Sequence, residues 1–82
     1  MNTLTDLPIG ERAKVLSVNG DNQITRRLME MGVVPGAPVR VIKSAPFGDP
    51  LEIRVRGYHL ALRKAEASRI EVQSLEAEAN ER

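Results

Sequence analysis

The stretch from residue 22 to residue 36 predicts a short helix that ends at a glycine and turns directly into a strand. Apolar side chains recur there at the spacing of one helical face, namely Ile24, Leu28 and Met31. Gly32 stands where a left-handed residue closes a helix, and Pro35-Gly36 suits the centre of a type II turn. We therefore assign structural roles to Gly32, Pro35 and Gly36, and we expect one helix near residues 22–31.

Turn residues divide the rest of the chain into short extended segments. We expect five strands, near residues 11–18, 37–46, 50–57, 58–63 and 69–74, and one helical turn near residues 64–68. The third strand alternates most clearly, with apolar side chains at Leu51, Ile53 and Val55. Tyr58, Leu60 and Leu62 alternate in the same way in the fourth strand, so we expect Tyr58 to be in phase with buried leucines.

A flat sheet of five short strands would leave long unpaired edges, whereas a curled sheet hides most of them. The pattern therefore predicts a mainly β fold, a small five-stranded SH3-like barrel. The helix can plug one open end of this barrel with its apolar face.

Length and composition limit the chain to one small domain. Its 82 residues are 41% apolar and include no Trp and no Cys, so the core is aliphatic and has no disulfide. We assign residues 4–74 to the domain and residues 75–82 to a charged tail that frays. The chain lacks a signal-peptide pattern and the roughly 20 apolar residues of a membrane helix, so we expect a cytoplasmic protein.

The residue types favour neither catalysis nor a resident metal or cofactor. A serine nucleophile would need His59, the only histidine, which lies on the polar phase of its strand. Transition metals require several His, Cys or carboxylate ligands close together, and the chain has no cysteine. We therefore predict no enzyme activity, no cofactor and no intrinsic metal. An adventitious ion held by His59 and Glu52 stays open, as does weak or metal-mediated self-association.

Nucleic acid is a rival partner that the net charge of +1 does not favour. Four arginines could nevertheless line one face of a barrel: Arg54, Arg56, Arg63 and Arg69. Surfaces that bind single strands usually place stacking aromatic side chains between such cations, and here only Phe47 and Tyr58 are available. We expect a solvated outer face and no nucleic-acid partner.

The order of residues in the helix and turn is similar to that of a known family. The pattern R-R-L-x-x-x-G-x-x-P-G, from Arg26 to Gly36, resembles the signature stretch of the FeoA family. Gly10 and Val15 also fall where this family has its opening glycine and its first-strand valine. Further similar stretches are Pro46-x-Gly48-Asp49-Pro50, residues 60–67 and Ile70-x-Val72. The similarity extends over residues 4–73.

This resemblance implies an SH3-like barrel with an accessory or regulatory role in bacterial ferrous-iron uptake. The implied partner is FeoB, a large membrane protein whose cytosolic region contains a G domain, and it would recruit the protein to the inner membrane. A related barrel is the C-terminal domain of iron-dependent repressors. The alternative is therefore a free-standing SH3-like domain in transcriptional regulation, in a chain too short for the repressors' helix-turn-helix.

Two surfaces are candidates for contact with the implied partner. The first is the outer face of the helix, which carries Arg26, Arg27, Met29 and Glu30. The second is the turn made of Pro46, Phe47, Gly48 and Asp49. A structural role stays open for two of these residues, since Met29 could pack partly inside and Phe47 could close the barrel. The chain lacks the exposed aromatic groove that binds proline-rich peptides, so we do not expect that mode of recognition.

Overall fold

In a computed structural model, which describes residues 2–20 and 22–75, the chain forms one antiparallel sheet with short helices. The strands are β1 (Asn2–Thr3), β2 (Arg12–Val18), β3 (Pro38–Ser44), β4 (Leu51–Val55), β5 (Tyr58–Leu62) and β6 (Ile70–Ser74). The helices are α1 (Asn22–Glu30) and α2 (Lys64–Ala67), and two 3-10 turns span Leu4–Asp6 and Pro46–Gly48. The fold is mainly β, as predicted. Of the tail predicted to fray, residues 76–82 lie outside the described part of the chain.

Within residues 2–20 and 22–75 the sheet has six strands rather than five, in the order β1-β6-β2-β3-β4-β5. The extra strand is β1, whose Asn2 and Thr3 pair with Val72 and Glu71 of β6. A strand of two residues is too short to show an alternation of polar and apolar side chains in the sequence. The neighbouring residue Leu4 holds this strand in place, because its side chain is completely buried in the core.

Two irregularities bend the sheet, and α2 fills the gap between its edges. The pairing register shifts between Val15 and Ser17 of β2, and again between Val41 and Lys43 of β3. Such bulges increase the local bend and twist of a strand. The helix α2 comes after the edge strand β5 and packs beside the 3-10 turn that comes after the other edge strand, β1. The curled sheet therefore closes around one core.

The core is aliphatic, as the composition requires. Its largest fully buried side chains are Leu4, Leu28, Ile53, Leu62, Ile70, Val15, Val33, Val41 and Val55. Leu28 is the buried residue that attaches α1 to the sheet, and Ile24 and Met31 pack partly buried beside it. The other face of α1 is left to solvent.

The end of α1 has the hydrogen bonds of a Schellman motif. The Gly32 N–H donates to the Met29 carbonyl and the Val33 N–H donates to the Leu28 carbonyl, each at 3.0 Å. Gly32 has φ 98°, a left-handed conformation that only glycine adopts without cost. Next comes a turn at Pro35-Gly36, closed by the Ala37 N–H and the Val34 carbonyl at 3.0 Å. These bonds set the direction in which the chain leaves α1 for β3.

Tyr58 lies on the same face of β5 as Leu60 and Leu62, as expected, but it is 63% exposed rather than buried. Tyr58 is the first residue of β5 after a two-residue hairpin loop, Arg56–Gly57, in which both residues have positive φ. The edge strand enters the core only towards its other end, where Leu62 is buried. Alternation identified the correct face of the strand but not how far the core extends along it.

Among the helices of the described residues, none has the length and apolarity needed to cross a membrane.

Candidate partner-binding site

The most exposed apolar side chain of the described residues is Phe47, at the tip of the loop between β3 and β4. Its side chain is 98% exposed, and its backbone is left-handed with φ 71°. The loop is closed beneath the ring by two backbone bonds, from Gly48 N–H to the Ala45 carbonyl at 2.8 Å and from Ala45 N–H to the Pro50 carbonyl at 3.0 Å. The structural alternative, in which Phe47 closes the barrel, is therefore wrong.

The backbone of Phe47 opposes folding, and its side chain contributes nothing to it. A left-handed backbone costs a residue with a Cβ atom about 1–2 kcal/mol, and an aromatic ring in water gains nothing from burial. Conformations of this kind persist where the surrounding structure holds them, and they cluster at functional sites. Phe47 is therefore the strongest candidate for an anchor that a partner buries.

The loop is attached to α2 through Asp49. The Lys64 N–H, at the start of α2, donates to Asp49 Oδ1 at 3.2 Å. A carboxylate in this position satisfies one of the backbone donors that every helix N-terminus leaves unpaired. Of the other predicted turn residues, Pro46 is exposed and Gly48 is half-buried. The side chain of Asp49 thus fixes the loop while the ring of Phe47 stays outside.

A shallow cavity of about 280 Å³ lies beside the loop. Its lining includes Leu7, Pro8, Ile9, Gly48, Leu51 and Lys64. Ile9 is 56% exposed at its rim, so an apolar surface continues from the loop towards the first 3-10 turn. The sequence analysis did not select Ile9 or Lys64, since nothing local relates residues 9, 48 and 64. Only the pairing of distant strands brings them together.

The predicted helix surface is exposed as well. Arg26, Arg27, Met29 and Glu30 are all exposed, although Met29, at 44%, is also partly covered. Arg27 Nη1 lies 4.0 Å from Glu66 Oε2 of α2, in an ion pair whose arginine is exposed and whose glutamate is mostly buried. Because Asp49 contacts Lys64 and Arg27 contacts Glu66, both predicted surfaces adjoin the short helix α2.

The structure also brings His59 and Glu52 together, as neighbours on β5 and β4. His59 Nε2 lies 3.0 Å from Glu52 Oε1, and Lys43 Nζ lies 3.8 Å from Glu52 Oε2. Across residues 2–20 and 22–75, no group of three or more His, Cys, Asp or Glu side chains is placed to hold a metal ion. This pair would need further ligands from elsewhere to bind a transition metal tightly.

The arrangement of this domain matches a known family along nearly its whole length. A family model described as the FeoA domain matches residues 2–74. The chain belongs to the FeoA family. The resemblance noted in the sequence is thereby confirmed, and it now includes the strand at Asn2–Thr3.

A curated relative of this FeoA-family chain is the Fe(2+) transport protein A/Fe(2+) transporter FeoB fusion protein of Porphyromonas gingivalis. The two are 34% identical over 76 residues, which make up 93% of this chain and 9% of the relative. The chain therefore spans less than a tenth of the length of that relative.

Solved structures of FeoA proteins share the fold. The solution structure of FeoA from Chlorobium tepidum is 42% identical, with a TM-score of 0.86 over 90% of this chain and 70% of that one. The crystal structure of Stenotrophomonas maltophilia FeoA, complexed with zinc and described as a prokaryotic SH3 domain protein, is 39% identical. Its TM-score is 0.79 over 89% of this chain and 91% of that one. The SH3-like architecture predicted from the sequence is confirmed.

The fold extends beyond transport proteins. A manganese-dependent transcriptional repressor superposes with a TM-score of 0.82 over 90% of this chain and 41% of that one, at 21% identity. At this level of identity the likeness concerns the fold alone.

Proposed function

We propose that this protein is an accessory or regulatory component of bacterial ferrous-iron uptake that acts by binding the cytosolic region of FeoB. The observation that carries the proposal is the Porphyromonas gingivalis relative, in which Fe(2+) transport protein A and FeoB are one chain. Joining two proteins covalently keeps them at a high local concentration, which benefits proteins that work in contact. On this proposal the protein is cytoplasmic, is recruited to the inner membrane by FeoB, and catalyses nothing alone.

The Phe47 loop, defined as residues 45–50, is the proposed anchor of this contact. Burying an aromatic side chain removes about 150–250 Å² from water, at about 25 cal/mol per Å² before the costs of association. A few such residues near the centre of an interface usually carry most of its binding energy. The exposed side chains of α1 would enlarge this contact, since α2 lies between α1 and the loop. Arg27 is the residue of α1 whose replacement tests this best.

Titration of the purified protein against the cytosolic region of FeoB, with and without guanine nucleotide, tests this proposal. Phe47→Ala is expected to weaken binding by about thirtyfold, because losing an anchor costs about 2 kcal/mol or more. Tyr58→Ala is the matched control, since it removes another exposed aromatic ring outside the loop, and it should change affinity less than twofold. Arg27→Glu is expected to weaken binding with at most a small fall in melting temperature, because Arg27 is exposed and its pair with Glu66 is long at 4.0 Å.

Absence of binding under every nucleotide condition, both to the isolated region and to FeoB in membranes, contradicts the proposal. Salt-sensitive binding to DNA in the same experiments would favour the transcriptional alternative instead. Equal losses for Phe47→Ala and Tyr58→Ala would leave a contact with FeoB in place but move it away from the loop.

A further inference from the structure

Four basic residues stand directly opposite one another across four neighbouring strands. Arg12 of β2 pairs with Arg40 of β3, Arg40 pairs with Arg54 of β4, and Arg54 pairs with His59 of β5. All four side chains are exposed on the outer face of the sheet. We call these four residues the basic row. With strands about 4.8 Å apart, it extends for about 14 Å across the sheet.

The three arginines of the basic row work against the stability of the sheet, because like charges directly opposite each other on neighbouring strands repel. At the β5 end of the row, Glu52 Oε1 lies 3.0 Å from His59 Nε2. The carboxylates of residues 2–20 and 22–75 form no ion pair with Arg40 or Arg54. Arg40 Nε donates to the Gly10 carbonyl at 3.2 Å, which orients the guanidinium and leaves its other donors available.

The basic row lies in a shallow groove. One cavity, of about 160 Å³, is lined by Arg12, Pro38, Val39, Arg40, Arg54 and Leu75. A second, of about 260 Å³, is lined by Ile42, Arg54, Gly57 and His59. Arg54 lines both cavities, so the two cavities are neighbours. Together they follow the basic row from β2 to β5. Arginine side chains and apolar side chains therefore line this groove together.

We propose that the basic row binds an acidic polypeptide segment of the protein's partner. Guanidinium groups bind carboxylates through two parallel hydrogen bonds, and a row of them fits several carboxylates along one extended segment. The proposal rests on the proposed function for the identity of the partner, which is the cytosolic region of FeoB, but not for the chemistry of the segment.

The lining of the groove favours a polypeptide over the other polyanions. Single-stranded nucleic acid is bound by stacking on aromatic rings, and no Phe, Tyr or Trp lines either cavity among the described residues. A membrane surface is bound by cations beside large exposed apolar side chains. The side chains of that kind among the described residues are Ile9, Leu16, Met29, Phe47 and Tyr58, and none of them lines the groove.

A synthetic decaglutamate peptide, titrated against the full chain at about 50 and 200 mM salt, tests the chemistry directly. Arg40→Gln and Arg54→Gln are each expected to weaken binding at least about fivefold, because each removes a charge-assisted pair. Arg69→Gln is the charge-matched control, since Arg69 is exposed and lines neither cavity, and it should change affinity less than twofold. The melting temperatures of both row variants should stay the same or rise, because repulsion within the row falls.

Three results overturn the assignment: no measurable binding of decaglutamate, an equal loss in Arg69→Gln, or tighter row-dependent binding of DNA or anionic lipid vesicles than of the peptide. A fourth concerns the chain's own residues 76–82, which contain Glu76, Glu78 and Glu81. If replacing these three by Gln in the full chain strengthens peptide binding more than tenfold, the row belongs to that segment rather than to a partner.

The same variants separate this inference from the proposed function. If the cytosolic region of FeoB binds the wild type and Arg40→Gln equally, the basic row is not part of the contact, while the proposed function stands. If decaglutamate binding depends on the row but FeoB does not bind at all, the row stands and the proposed function fails.

Discussion

Replacing Phe47 by glycine is expected to stabilise the fold and, at the same time, to remove binding to the partner. Most residues that contribute to binding also pack against their own protein, so their replacement damages both properties. Phe47 is 98% exposed and has φ 71°, so its side chain contributes no burial and its backbone opposes folding. The two properties can therefore be separated at this position.

The size of the stability change is set by the backbone. Relief of the left-handed conformation raises the free energy of unfolding by about 1–2 kcal/mol. The greater freedom of glycine in the unfolded chain lowers it by about 0.5–1 kcal/mol. The net gain is about 0.5–1 kcal/mol, which in a domain of this size raises the melting temperature by about 2–8 °C. Phe47→Ala keeps the left-handed cost and should leave the melting temperature unchanged. Both variants should bind the cytosolic region of FeoB about thirtyfold more weakly.

Calorimetry of the two variants, followed by titration against FeoB, measures both effects on the same samples. A fall in melting temperature for Phe47→Gly would refute the reasoning, because it would mean that the ring packs against the fold. Retained affinity in both variants would show that the loop is not the anchor, whatever happens to stability.

Three further predictions concern the core, the helix end and metal content. Leu28→Ala should destabilise the domain by about 2–5 kcal/mol, because Leu28 is 1% exposed, and an unchanged denaturation midpoint would contradict this. Gly32→Ala should cost about 1–2 kcal/mol by the same measurement, since φ is 98° and the new Cβ would lie 3.4 Å from Arg56 Cδ; an equal or higher midpoint would mean that the helix end is not left-handed. Metal analysis of protein purified without chelator or affinity tag should find no stoichiometric iron. One tightly held iron per chain, lost in His59→Ala, would refute that expectation.

Local sequence patterns predicted the elements whose structure is set by near neighbours. The helix ends at Gly32 because a left-handed residue and two nearby carbonyls are all that the Schellman motif needs. The strand at residues 51–55 is evident because its alternation has a period of two. The family resemblance rests on the same local patterns, in the correct order. These features required no knowledge of the tertiary structure.

Exposure at the candidate site could not be predicted in this way. For Phe47 the sequence allowed two opposite interpretations, one with the ring inside the barrel and one with it outside. The choice depends on whether the loop after β3 folds over the core. The backbone hydrogen bonds of this loop, and the contact of Asp49 with α2, hold the loop away from the core. For Tyr58 the alternation was correct, but the core ends before it.

The sequence by itself determined the class of fold, the helix α1 with its glycine end, and membership of the FeoA family. Only the tertiary structure decided which exposed residues lie side by side. Arg12 and Arg40 are 28 positions apart, and their pairing depends on a register that β2 and β3 adopt only when both bury their inner faces. A shift of one residue would turn either arginine to the other face. The basic row and the Phe47 loop are therefore products of long-range packing, which no local pattern encodes.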